Sequence, residues 1–279
     1  MTEHERKSLV ARFHVSLVMG IIFRITTLLI LAAGLVLAPR TTGIIGQLLF
    51  VLVVAAAGSW VWTAWRGAFH QRCLMEAGRQ LAIGQPGEAE RQCRLVLGSA
   101  APVRNAKILA LFYLARAADL QSDPAGAAAF ARAILKHRSR AIGSVETECR
   151  ILLAKASLAL NHSDQSGAEI ARVHNKRLTL AQKLRLLPIE LHYQLTVGKV
   201  EEAVQSLARK VRLAELLDAQ GACVAHALLA EACRRADLPS KSEFLRQRAS
   251  LYSDFSEIAD KSALPMSEIG FLNERHPPA

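Results

Sequence analysis

The sequence predicts an all-α protein in two parts, an N-terminal transmembrane helical hairpin followed by a cytoplasmic stack of about five helix pairs. Three observations lead there. Two long apolar runs, Val15 to Ala38 and Ile44 to Trp65, flank the short turn Pro39-Arg40-Thr41-Thr42-Gly43. After Arg66 the pattern becomes amphipathic, and no alternating β-branched stretch is long enough for a sheet. Short polar turns then recur along the rest of the chain at nearly constant spacing.

The hairpin comes first. Between Gly20 and Ala38 the only charge is Arg24, and Ile44 to Trp65 has none. Each run therefore meets the ~20 apolar residues a membrane span needs. With so short a turn the spans, about 20–38 and 44–65, form a hairpin behind an N-terminal segment 1–19. All three tryptophans, Trp60, Trp62 and Trp65, sit at the end of the second run, where an indole prefers a membrane–water interface. Arg24, about a turn inside the first run, reads as a side chain that snorkels to the same boundary. Arg6, Lys7 and Arg12 precede the hairpin and Arg66, Arg72 and Arg79 follow it, while Arg40 alone marks the turn. That bias puts both termini in the cytoplasm. Arginine outnumbers lysine 25 to 10, and no cysteine pair is spaced C-x-x-C. The expected location is thus a bacterial cytoplasmic (inner) membrane, as a multi-pass protein in contact with the lipid bilayer.

The repeats occupy residues 66–255. Their turns fall at Gly84, Ser122, Ser163, Gly198 and Asp237, giving intervals of 38, 41, 35 and 39 residues, a period that means stacked helix pairs. A small residue follows each of the first four turns: Ala89, Ala127 or Ala128, Ala168 and Ala203. Pro188, within the apolar periodicity of Leu178 to Leu195, is expected to kink or break its helix. Residues 256–279 lose helical spacing and are read as a mobile tail.

The segments Gly87-Glu88-Ala89 and Gly198-Lys199-Val200-Glu201-Glu202-Ala203 resemble the inter-helix turn of the tetratricopeptide repeat. The resemblance spans Arg66 to Phe255 as five degenerate units, without the family's aromatic early in the first helix; related helical-pair solenoids share the looser pattern. It implies a groove lined by the first helices that receives a peptide. Placing the small residue of each first helix seven before its turn puts Leu109, Phe112, Arg116, Arg150, Arg185, His192 and Arg234 on that groove. Four arginines there would favour an unknown protein partner presenting an acidic segment or a C-terminal carboxylate. The Lys/Asn carboxylate clamp of chaperone-binding members is not matched.

Chemistry is sparse. There is no G-x-S-x-G, H-E-x-x-H or phosphate-loop signature, and Cys223 with His226 reads as helix core rather than as a metal pair. No cofactor, metal or catalytic set is implied. The net charge is +11, with 30 of 35 basic residues from Arg66 onward, yet aromatics for base stacking are few and no nucleic-acid motif occurs. The expected function is a membrane-anchored adaptor or scaffold, not an enzyme, that binds a protein through its solenoid. The alternative is a structural or accessory subunit of an inner-membrane complex whose main interface is the hairpin.

Overall fold

A computed structural model describes residues 3–37, 44–99, 103–136 and 143–252. The inter-span turn, His137 and the tail 256–279 lie outside the described residues. Twelve helices form, and among the described residues there is no strand. They are α1 (Glu3–Leu37), α2 (Ile44–Ala82), α3 (Pro86–Gly98), α4 (Arg104–Leu120), α5 (Pro124–Leu135) and α6 (Gly143–Ala159). Then follow α7 (Ser163–His174), α8 (Leu180–Thr196), α9 (Val200–Val204), α10 (Leu207–Ala214), α11 (Ala219–Arg235) and α12 (Pro239–Ser250). Two compact units divide the chain: residues 1–121 with 133–142, and residues 122–132 with 143–279.

The N-terminal hairpin is where expectation and structure part. Among the described residues no helix is long and apolar enough to cross a membrane. This overturns the two-span anchor and the multi-pass inner-membrane location with both termini cytoplasmic. The apolar runs are parts of longer helices. α1 starts at Glu3 and carries Arg6, Lys7 and Arg12 before it reaches the first run. α2 continues without a break past Trp60, Trp62 and Trp65, through Arg66, His70, Arg72, Glu76 and Arg79, to Ala82. The tryptophans therefore do not mark a helix end; they are exposed, and the Arg66 guanidinium lies over the Trp62 and Trp65 rings at 5.6 and 5.8 Å. The Arg24 side chain lies outside what is described. At the other end of the pair, Leu9, Phe13, Leu74 and Ala77 are buried.

Beyond the hairpin the local geometry recurs. The backbone turns left-handed at Gly84, Ser122, Asn161, Gly198 and Asp237, with φ between 55° and 76°. These positions are 38, 39, 37 and 39 residues apart. At four of them the helix closes with the same pair of hydrogen bonds, as at Asn161 N–H to Leu158 O, 2.9 Å, and His162 N–H to Ser157 O, 2.8 Å. This 6→1 bond, with its partner, satisfies carbonyls that a helix end leaves orphaned. Two residues past each turn residue the next helix begins, at Pro86, Pro124, Ser163, Val200 and Pro239. Proline suits that first position because its missing N–H would have no partner there.

Buried, mostly small residues recur at fixed distances on both sides of each turn. Five residues past each turn residue stand Ala89, Ala127, Ser166, Ala203 and Ser242, all buried. Seven before it stand Ala77, Ala115, Ala154, Leu191 and Ala230, none with any exposure. The two positions meet in the last pair, where Ser242 Oγ donates to Ala230 O at 2.9 Å. The helices entering the second to fifth turns, α4, α6, α8 and α11, each have 17 residues.

The fourth pair departs from this pattern, though not at Pro188. α8 runs continuously through that proline. The break comes in the returning helix, at Gln205–Ser206, where Ser206 turns left-handed with φ 57°. Lys210 of α10 folds back and its Nζ donates to Glu202 O at 2.6 Å and Ala203 O at 2.9 Å, capping the carbonyls that α9 leaves open.

Candidate functional site

The structure moves the third turn from Ser163 to Asn161, and this rearranges the candidate groove. Phe112 and Arg116 lie on α4 in the first unit; Arg150, Arg185, His192 and Arg234 lie in the second. Phe112 is largely buried and Arg116 half-buried. Leu109, also on α4, is half-buried.

In the second unit α6 packs on α8, and α8 on α11. Counted from Asn161, the α6 position that matches Arg185 of α8 is Glu148, not Arg150. The contact agrees: Arg185 Nη1 donates to Glu148 Oε2 at 2.7 Å. One helical face further along, Lys155 of α6 matches His192 of α8, the first exposed and the second half-buried. Arg234 near the end of α11 is exposed and paired with Glu231 on its own helix at 2.6 Å. The solvent-accessible side chains of α6, α8 and α11 are thus of mixed sign, with Glu148 set among Lys155, Arg185 and Arg234.

Arg150 has turned inward. Two residues along a helix is about 200° of rotation, which takes its side chain from that face toward α7. There it bridges Glu146, 2.8 Å, and Glu169 of α7, 2.8 Å. Lys176 holds the other oxygen of Glu146 at 2.7 Å, and Arg172 also pairs with Glu169. Glu169 is buried; a carboxylate there is tolerated because two guanidinium groups share it. The hydrogen bond from Lys176, followed by that from Arg150, holds the Glu146 carboxyl below its usual range despite its burial. Glu231 on α11 is likewise buried. Burial alone would raise its pKa, but the hydrogen bonds from Arg234 and Arg235 keep it below the ordinary carboxylate value. Arg235 reaches across to α8 as well, donating to Leu195 O at 3.0 Å.

Sequence reasoning did not pick out Glu148, Lys155 or the network Lys176–Glu146–Arg150–Glu169–Arg172. The pair Glu146 and Arg150, at i and i+4, was a visible cue that this arginine had a partner on its own helix. No group of three or more histidine, cysteine or acidic residues placed to hold a metal is found among the described residues. All five cysteines are buried and unbridged, and burial pushes the thiols of Cys93 and Cys149 up to about 12. Such thiols stay protonated and unreactive at neutral pH. Cys223 and His226 are both fully buried on α11, and the His226 ring stacks on Tyr252 with centroids 5.8 Å apart.

Comparison with family models, with curated proteins and with solved structures finds no match.

Proposed function

We propose that the chain is a tetratricopeptide-type adaptor that holds another protein on the face shared by α6, α8 and α11. The observation that carries this reading is the alignment of equivalent positions on successive first helices, seen in the pairing of Glu148 with Arg185. Helix pairs repeated at a constant interval present side chains in rows, and a row is a surface on which an extended or helical segment can lie. The five left-handed turns, the buried small residues five after each and the buried alanines seven before all but the fourth support the family reading. A mixed-sign row favours a partner segment that carries both signs over a purely acidic one.

The test is capture by the full-length chain. Crosslinking or proximity labelling in the native cell is compared between the wild type and a variant in which Lys155, Arg185 and His192 are replaced by alanine. Loss of specific neighbours, with an unchanged helical signal and melting temperature, supports the adaptor reading; an unchanged neighbour set removes the α6–α8–α11 face from it.

One observation favours a second reading, that of a subunit in a larger complex with the N-terminal hairpin as its contact. Ile22, Leu29, Phe50, Val61 and Trp65 are all more than half exposed on α1 and α2, and large apolar patches on protein surfaces mark interaction sites. Exchanging residues 1–65 for an unrelated helical hairpin separates the two readings. Neighbours that persist point to the repeat face, and neighbours that vanish point to the hairpin.

A further inference from the structure

An unbroken line of exposed residues runs along the outer side of α2. Val51, Val54, Gly58, Val61 and Trp65 follow one another at intervals of three, four, three and four, and all five are exposed. The opposite side is the one that packs. Ala56 and His70 are buried there, where α2 meets α1, α3 and α4. Trp65 stands nine residues after Ala56 and Val61 nine before His70, which at about 100° per residue is half a turn round the helix. From Ile44 to Trp65 there is no charge. A three-four spacing is the seam by which one helix meets another, because it keeps the same side in contact over successive turns.

Area and symmetry say what meets it. With Phe50, Trp62 and Phe69 on its flanks, all exposed, the line presents on the order of 800 Å² of apolar side chain, at up to ~250 Å² for each aromatic. That exceeds the largest apolar patch of an ordinary monomer and matches the ~800 Å² that each partner contributes to a stable dimer. The line is also its own complement. Val51 and Trp65 are equally far from Gly58, and Val54 and Val61 nearly so. A second α2 laid antiparallel sets the valine at one end against the tryptophan at the other and brings the two glycines face to face. A Cβ added at Gly58 would meet nothing within 4 Å, so the backbone is open to close approach there. Charge fixes the direction. Beyond Trp65 the helix carries Arg66, Arg72 and Arg79 against Glu76 alone. Parallel copies would crowd those arginines together, and antiparallel copies send them to opposite ends.

We propose that a second copy of this chain covers the line, in a two-fold symmetric, antiparallel contact of α2 with α2 centred on Gly58. This rests on the reading of the N-terminal helices as a contact surface and names the occupant of that surface. The contact is isologous and closes at two copies, because the same patch serves both chains. Arg66, half-buried over the Trp62 and Trp65 rings, marks its rim. A foreign helix would have to carry the same uncharged line in reverse order, which a second copy supplies by symmetry.

The test is sedimentation velocity of the purified full chain over a range of concentrations. A monomer–dimer equilibrium is expected. Val61 is 70% exposed in the single chain, so Val61→Glu leaves the fold alone, as its helical signal and melting curve will report. In the dimer each copy would bury an unpaired carboxylate, and association is expected to weaken on the order of a hundredfold. Cysteine linkage reads the geometry, since the five native cysteines are buried and do not compete. Oxidised Gly58→Cys is expected to link to itself. Val51→Cys is expected to link to Trp65→Cys when the two variants are mixed, and not to itself. A chain that stays monomeric, a dimer that Val61→Glu leaves intact, or self-linkage of Val51→Cys overturns the proposal. A monomer that instead retains a different polypeptide or lipid, released by Val61→Glu, overturns the second copy as occupant while keeping the helices as a contact surface. If exchanging residues 1–65 changes neither the neighbours nor the oligomeric state, both readings fall together.

Discussion

Arg185 of α8 pairs with Glu148 of α6 at 2.7 Å, and each stands thirteen residues before the left-handed residue of its own turn, Gly198 and Asn161. Equivalent positions of neighbouring repeats therefore touch. Because the Arg185 side chain is half exposed, the pair is worth little to the fold, within the 0–1 kcal/mol range of surface ion pairs. Arg185→Ala is expected to shift the urea midpoint by only a few tenths molar while weakening partner capture. A large loss of stability would instead make the pair a structural tie.

Arg150 is the contrasting case. Its removal leaves Glu169 buried with Arg172 as its remaining partner. Arg150→Met is expected to destabilise the second unit by about 2 kcal/mol, below the 3–5 kcal/mol of a fully orphaned buried charge. Adding Glu169→Leu should recover part of that loss. A double-mutant cycle in urea reads the coupling directly.

The left-handed turn positions differ in what they cost. Gly84 and Gly198 hold that conformation freely, whereas Ser122, Asn161 and Asp237 hold it with side chains. A residue with a Cβ pays roughly 1 kcal/mol there, and less for asparagine. Ser122→Gly is expected to stabilise the protein by about 0.5–1 kcal/mol, and Asn161→Ala to destabilise it by about 1 kcal/mol, both read from thermal melting.

The same turns show how far the sequence could be read. Gly84, Ser122, Gly198 and Asp237 were legible because each interrupts apolar periodicity and belongs to a residue type that favours turns. The third turn was misplaced by two residues because Asn161-His162-Ser163-Asp164 contains several such types in a row. Asparagine takes the left-handed position, and Ser163 is already the first residue of α7. Equal spacing was the available signal, since Asn161 lies 39 residues from Ser122 and 37 from Gly198. That shift turned Arg150 from groove to interior. The helical class and the small residues Ala89, Ala127 and Ala203 were legible because they follow from short-range pattern, but the misplaced third turn also misplaced its small residue, since Ala168 is exposed and Ser166 takes the buried position. The membrane hairpin was misread because hydropathy in a window does not reveal that α1 begins at Glu3 and α2 runs on to Ala82.

The buried small residues should resist enlargement. Ala203 is fully buried where α9 meets its neighbours, in a core close-packed enough to feel each added methylene. Ala203→Leu is expected to cost about 1–3 kcal/mol through overpacking. Ala203→Ser, which matches the residue type at the equivalent Ser166 and Ser242, should cost less. The ordering of the two midpoints in denaturant checks the equivalence of the five positions.

Acid sensitivity should begin well above the carboxylate range. His70 and His226 are fully buried with both ring nitrogens unpartnered. The pKa of each lies below the usual histidine value of 6.5, through burial alone for His226. A group whose folded pKa is depressed is neutral in the folded state while the unfolded chain takes up its proton. Stability from these residues is therefore present above pH 6.5 and is lost as pH falls from there toward the depressed folded value, at up to about 1.4 kcal/mol per pH unit for each. The glutamates with lowered pKa, such as Glu146 and Glu231, act only below the ordinary carboxylate value of 4.5, so the two windows separate. His226→Phe keeps a ring for Tyr252 to stack on and removes the titrating nitrogens. It is expected to flatten the stability profile between pH 6.5 and 5 by the share of one histidine. An unchanged slope in urea denaturation across that interval would show that His226 takes up no more protons in the unfolded chain than in the folded one.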